Sequence, residues 1–270
     1  MLNRILDDYN FSGFMYTSDG DRFLTHGMAD YENNIKFDRT SRFCIASLTK
    51  QFTAFAVMLC MEKGLLDIYD HVSRYIPEYT YGDKITITNL MDMTSGITGA
   101  YPSEDEVNAV FESLNCDTRH KEYWAKYISC YIPEFSHDSL FDYLNNQSPT
   151  FAAGENYLYS NFNYLLLGII VQRVSGTGLN QFLSEQVFSF LGMNDTCFGT
   201  AKANVKGYDG ELCTGTPDYS GADFGMVSTI DDLIKWCSAL LNRRILSSES
   251  YDMFLSTNKF GYCFGVHKAE

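Results

Sequence analysis

The sequence predicts an α+β fold, in which an antiparallel sheet is built from both chain ends, flanked by helices, with a largely helical subdomain inserted between them. Three observations predict it. Short apolar stretches alternate with turn residues over residues 11–45, long and nearly unbroken apolar runs occupy the middle, and a period of two returns near residue 260.

In chain order, Phe11 to Tyr16 and Arg22 to His26 flank Ser18-Asp19-Gly20, the pattern of a β-hairpin with its turn at Asp19-Gly20. Past Phe43-Cys44-Ile45, the residues from Phe52 to Met61 are apolar with few breaks until Gly64. This is a helix buried on most sides, and Gly64 suits its C-terminal cap. Residues 65–100 read as connecting segments and short helices, interrupted at Pro77, Gly82, Gly96 and Gly99. Residues 101–150, rich in aromatic and charged side chains, read as helices joined by loops. Among those aromatics, Tyr101, Phe111, Tyr123, Trp124, Tyr127 and Tyr131 are expected to pack a helical lobe. A second apolar helix runs from Asn163 to Val174 and meets Ser175-Gly176. A third follows Ser228-Thr229, with Asp231 placed for a capping box. Finally Phe260, Tyr262, Phe264 and Val266 alternate with Gly261, Cys263 and Gly265, as in a strand. The expected organisation is one domain over residues 1–270, with sheet-forming segments at about 11–45 and 222–270 and a helical subdomain at about 65–215.

With 270 residues and 45% hydrophobic content, the chain can fill a sizeable core. A formal charge of -14 argues against nucleic acid or an anionic membrane as partner. Met1 to Asp8 lacks a basic stretch followed by an apolar one, so no signal peptide is read and a cytoplasmic location is expected. Phe52 to Met61 falls short of the roughly 20 residues that cross a bilayer. The eight cysteines include no C-x-x-C pair and are expected to be reduced, mostly buried thiols. The five histidines lack metal-site spacing, so neither a metal nor a cofactor is expected.

The candidate chemistry begins at Ser47-Leu48-Thr49-Lys50. A serine hydroxyl needs a base within hydrogen-bond reach to act as a nucleophile. Positions i and i+3 share a helix face, so Lys50 can meet Ser47 at a helix start, where backbone N–H groups and the positive dipole end suit a developing oxyanion. Read locally, the same residues equally describe a helix cap beside a surface lysine. The pattern recurs at Ser256-Thr257-Asn258-Lys259, in a polar stretch that reads as a solvated connection. Y-x-N occurs at Tyr31, Tyr143 and Tyr159. Of these, Tyr159-Ser160-Asn161 follows a turn-rich approach and directly precedes a helix, a place from which side chains can enter a cleft.

The stretch from Phe43 to Ala54, FCIASLTKQFTA, resembles the active-site segment of the serine β-lactamase and D,D-peptidase superfamily, nearest its class C-like branch of β-lactamase-related serine hydrolases. Ser12-Gly13, Lys63 to Asp67, Ile85 to Ile87, Thr94 to Gly96, Gly154 to Asn161, Leu191 to Met193 and Val227 to Asp232 are similar to that family in the same order. The resemblance implies a β-lactamase/transpeptidase-like fold and a two-step acyl transfer on a small-molecule or peptide substrate: an ester, amide, β-lactam or D-amino-acid peptide. Ser47 would attack, Lys50 and Tyr159 would share the proton work, and Asn161 would hydrogen-bond the substrate amide. Two positions depart from the pattern. Met93 stands where the family often has His, a position read as structural. The family's third motif, Lys or His with a small residue and Gly, lies on a strand beyond Phe260 to Val266. Lys259-Phe260-Gly261 fits it only by chance, and His267-Lys268-Ala269 lacks the glycine. A truncated chain, or one completed by another, is therefore expected, with an open sheet edge available for self-association. The alternative reading is a weakly active or inactive ligand-binding or interaction module.

Overall fold

The computed structural model describes residues 2–9, 11–19, 21–98, 137–209, 212–213 and 219–267. Gly20, Gly99 and the aromatics named between 101 and 131 lie outside the described residues.

After a short helix α1 (Leu2–Asp8), strands β1 (Gly13–Thr17) and β2 (Arg22–His26) form the expected hairpin, in register from Gly13 opposite His26 to Thr17 opposite Arg22. One face of it carries Phe14, whose ring packs on Phe37 and Phe43 at 5.0 and 4.8 Å between centroids. A second small pair, β3 (Met28–Asp30) and β4 (Ile35–Lys36), follows with an irregular register.

Strand β5 (Phe43–Cys44) leads through a 3-10 turn, Ala46–Leu48, into helix α2 (Thr49–Glu62). Eleven of its 14 residues are buried, as a run with almost no polar interruption demands. Beyond it the chain turns at Gly64, in the left-handed region at φ +69°. Helix α3 (Ile87–Met91) is capped by Thr86, whose hydroxyl accepts from Asn89 N while the Asn89 side chain accepts from Thr86 N. Helix α4 (His137–Asn145) precedes α5 (Asn161–Ser175), the second apolar helix, which packs along α2 and ends at Gly176 with φ +73°. Next come α6 (Leu179–Leu183), a π turn and α7 (Ser189–Leu191), then β6 (Cys197–Phe198), β7 (Tyr208–Asp209) and β8 (Leu212–Cys213).

Strand β9 (Met226–Ser228) is wholly buried and antiparallel to β5 on one side and β6 on the other, in the order β5-β9-β6. The sheet beside the α2 start thus joins residues 43–44 to residues 226–228, distant ends of the sequence. Helix α8 (Ile230–Leu241) begins at Thr229, whose hydroxyl accepts from Asp232 N. Asp232, not Asp231, is the third residue of that cap, and Asp231 instead pairs with Arg39. The last helix is α9 (Ser248–Phe254). Between α2, α8 and α9 the rings of Phe52, Phe55, Trp236 and Phe254 interlock, with Phe52 stacked on Trp236 at 4.3 Å and Phe55 edge-on to Trp236 and Phe254 at 5.0 and 5.6 Å. Burying each such side chain contributes about 1.5–3 kcal/mol, which makes α2 the central post of the core.

The strand expected at Phe260 to Val266 is not formed. Tyr262 and His267 make a single bridge, Cys263 N donates to the Val266 carbonyl at 2.8 Å, and the chain doubles back between them. Both glycines of the alternating pattern adopt φ above +70°. Period-two alternation describes which side chains face inward, but residues in the left-handed region bend the backbone out of a strand.

Candidate active site

The route from β5 to α2 sets the first residue of the site. Ala46 adopts φ +44°, unusual for a residue with a Cβ and costly by about 1–2 kcal/mol. The chain thereby turns abruptly out of the sheet and presents Ser47, exposed, in the first helical turn. Within that turn Leu48 N donates to the Ile45 carbonyl at 3.0 Å and Thr49 N to the Ala46 and Ser47 carbonyls.

One turn on, Lys50 is 1% exposed. Its Nζ donates to Ser47 Oγ at 3.2 Å, to Asn161 Oδ1 at 2.8 Å and to the Asp223 carbonyl oxygen at 2.9 Å. Three acceptors match the three N–H donors of an ammonium group. Lys50 Nζ also lies 4.9 Å from the Tyr159 ring centroid. Tyr159 Oη donates to Ser47 Oγ at 2.8 Å, and its ring is partly exposed. The four residues singled out from the sequence, Ser47, Lys50, Tyr159 and Asn161, thus meet around one hydroxyl. Asn161 reaches it through Lys50, while its Nδ2 has no partner among the described residues.

Why Tyr159 arrives there is a matter of how residues 93–98 splint residues 158–163. Met93 is fully buried, with φ +64°. Its carbonyl accepts from Leu158 N at 3.0 Å, and its Sδ accepts from Ser160 N at 3.3 Å and from Asn163 Nδ2 at 3.4 Å. Ser95 Oγ donates to Asn163 Oδ1 at 2.7 Å, and Ser160 Oγ to the Thr98 carbonyl at 2.6 Å. The methionine in place of the usual histidine therefore sits inside the support for the Tyr159 loop, with no contact to Ser47 among those described.

The remaining cheap pattern matches go elsewhere. Ser256 and Lys259 are exposed, with Lys259 Nζ reaching the Glu155 carbonyl at 3.4 Å. Asn33 closes a turn on Asp30, and Asn145 bridges Thr80 N and the Glu78 carbonyl. Sequence reasoning missed Asp223 and Tyr219. Asp223 is 1% exposed, its Oδ1 accepts from Tyr219 Oη at 2.7 Å, and burial pushes its carboxyl up to about 6, against the opposing pull of Tyr219 and the Lys50 charge. Burial likewise raises the Tyr219 phenol. An acid among Gly221, Gly225 and Ser220 reads as an ordinary turn residue, so no local signal could have found it.

The five described cysteines whose side chains are placed, Cys44, Cys60, Cys197, Cys237 and Cys263, are free thiols. Burial raises the Cys60 thiol to about 12. Among the described residues no helix is long and apolar enough to cross a membrane, and no group of three His, Cys, Asp or Glu is placed to hold a metal.

An α+β fold that gathers a serine, a lysine three residues on and a tyrosine at a helix start is the arrangement associated with S-x-x-K acyl-transfer proteins. The chain belongs to the Beta-lactamase family, whose family model matches residues 6–265. Protein flp of Staphylococcus aureus (strain NCTC 8325 / PS 47) is 28% identical over 250 residues, covering 86% of this chain and 45% of its own length. The chain thus spans about half the length of that relative. Among solved structures, a penicillin-binding protein from Bacillus halodurans superposes with TM-score 0.72 at 23% identity, over 98% of this chain and 82% of the other. A D-amino acid amidase from Ochrobactrum anthropi SV3 gives 0.72 at 21% identity, over 93% and 72%. The fold is that of the serine β-lactamases and transpeptidases, and the family is one of serine hydrolases and acyl-transferases.

Proposed function

We propose that this chain forms a covalent acyl-enzyme on Ser47 with an ester, amide, β-lactam or D-amino-acid peptide. The observation that carries the reading is the convergence of Lys50 Nζ and Tyr159 Oη on Ser47 Oγ, at 3.2 and 2.8 Å. For attack the Lys50–Tyr159 pair first gives one proton to solvent, leaving a lysine amine or a tyrosinate; Ser47 Oγ then attacks the substrate carbonyl carbon, its proton passes to that vacancy, and the pair returns it to the departing group. Water then attacks the acyl carbon and frees the serine. The Ser47 N–H, at the start of the turn, offers a hydrogen bond to the carbonyl oxygen as it gains charge. Asn161, tied to Lys50 through Oδ1, offers Nδ2 to the substrate amide.

A fluorophosphonate or penicillin probe, with adducts mapped by mass spectrometry, tests it. An adduct on Ser47 that disappears in Ser47→Ala is the expected result. Intact protein free of any Ser47 adduct would point instead to an inactive ligand-binding module.

A further inference from the structure

One side chain at the site has no part in the acyl transfer just described. The Asp223 carboxyl is buried and accepts from Tyr219 Oη at 2.7 Å, while the carbonyl of the same residue holds Lys50 Nζ at 2.9 Å. The loop around it is braced throughout. Tyr219 N donates to Thr200 Oγ1 at 2.8 Å, and Thr200 N donates to the Tyr219 carbonyl at 2.9 Å. The Tyr219 ring stacks on Phe224 at 4.3 Å. Gly225 N donates to the Gly221 carbonyl at 2.8 Å, and Thr53 Oγ1 of α2 donates to the Ala222 carbonyl at 2.6 Å. A Cβ at Gly225 would fall 2.4 Å from Gly221 N, so the turn closes only around glycine.

Burying a carboxyl group costs free energy that a neutral residue would spare. We infer that Asp223 is a positioning residue for Lys50: clamped by Tyr219, its side chain fixes the 219–225 turn whose carbonyl receives the amine, and supplies the buried counter-charge behind it. The inference rests on the reading of Ser47 as nucleophile. The titratable groups acting on this carboxyl are Tyr219 from its own loop and Lys50 from α2. With the carboxyl titrating at about 6, the counter-charge is present above that pH and withdrawn below it.

Three variants separate geometry from charge. Asp223→Asn keeps an acceptor for Tyr219 Oη without the charge, Asp223→Ala removes both, and Tyr219→Phe removes the clamp while leaving the carboxyl. The rate of Ser47 labelling by a fluorophosphonate probe is followed between pH 5 and 8, with circular dichroism confirming the fold of each variant. Asp223→Ala is expected to label at least tenfold more slowly with unaltered probe affinity, and Asp223→Asn to recover most of that rate. A change in rate centred near pH 6 is expected in the wild type, moved to higher pH in Tyr219→Phe, and absent from Asp223→Asn. Wild-type labelling by Asp223→Ala, or survival of that step in Asp223→Asn, overturns the inference. A readout independent of turnover is the carbon-13 titration of the Asp223 carboxyl, expected to move to higher pH in Lys50→Met as the neighbouring positive charge is lost. An unmoved titration overturns the coupling even if Ser47 labels. Failure of wild-type Ser47 to label, with the titration moved, sinks the nucleophile reading and leaves the coupling standing.

Discussion

Replacing Lys50 by methionine sets a small stability effect against a large kinetic one. Methionine nearly fills the volume of the lysine stem, so no large cavity opens around a side chain that is 1% exposed. The change strips donors from Asn161 Oδ1 and the Asp223 carbonyl, which Lys50 meets at 2.8 and 2.9 Å. A buried acceptor left unsatisfied costs about 1–3 kcal/mol, so the two together cost about 2–6 kcal/mol. Against this, a buried charge no longer has to be desolvated, which returns several kcal/mol, offset in part above about pH 6 because the Asp223 carboxylate loses its counter-charge. The two contributions nearly cancel, leaving a net effect within about 3 kcal/mol of zero and a melting shift of about 10 °C at most for a domain of this size. Chemistry responds differently. A positioned proton-transfer group contributes about 100- to 10,000-fold in rate, or about 3–5 kcal/mol of barrier. The assay pairs a melting curve with the rate of Ser47 labelling measured well below the melting temperature. A folded Lys50→Met protein that labels within tenfold of wild type would refute the assignment of proton work to Lys50.

Other substitutions test neighbouring parts of the argument. Tyr159→Phe removes the hydroxyl 2.8 Å from Ser47 Oγ, and is expected to slow labelling about 100-fold while the melting temperature stays within a few degrees, since the ring is partly exposed. Trp236→Ala empties the aromatic junction against Phe52 and Phe55 and should cost about 3–5 kcal/mol in urea unfolding. At Gly265, φ +74° and a Cβ that would lie 2.8 Å from the Lys50 carbonyl make Gly265→Ala destabilising by about 1–3 kcal/mol, with slower labelling because the α2 turn carrying Lys50 must shift; wild-type behaviour in both would show that the segment yields freely. The Asp223 carboxyl titrates higher in the folded protein than its ordinary 3.8, so the native state holds that proton more tightly. Its contribution is therefore full below about pH 4 and lost as pH rises through about 6, an effect of about 3 kcal/mol. Asp223→Asn lacks this dependence, and the stability difference between wild type and variant should fall across that window; a difference constant from pH 4 to 7 would contradict the shift.

The legible parts of the molecule were those written in local pattern. The α2 and α5 runs, with Gly64 and Gly176 behind them, declare helices whose every side meets other side chains, and Thr229 declares the start of α8. The hairpin of β1 and β2 follows from its turn residues. The Phe260 to Val266 segment misled because alternation reports burial, whereas the φ values of Gly261 and Gly265 decide the path of the backbone. The Asp231 cap falls one residue on because the helix takes Thr229 as its N-cap, which makes Asp232 the third residue.

The sequence by itself determined the α+β class and the two buried helices, and offered Ser47 and Lys50 as a pair that spacing permits; the same spacing at Ser256 and Lys259 makes no such pair, because burial and the partners Asn161 and Asp223 hold the Lys50 amine. The turn-rich approach before a helix singled out Tyr159 and Asn161 among the Y-x-N matches, and ordered similarity along most of the chain agreed with it. Only the tertiary structure decided that these two close on Lys50 and Ser47 across more than a hundred residues, that Met93 carries the loop which brings them, and that Asp223 lies behind the amine. Those contacts depend on how α5, the Met93 turn and the 219–225 loop pack against α2. Burial turns an ordinary turn aspartate into a group that titrates at about 6, and burial is a property of the packed chain rather than of any residue's neighbours in sequence.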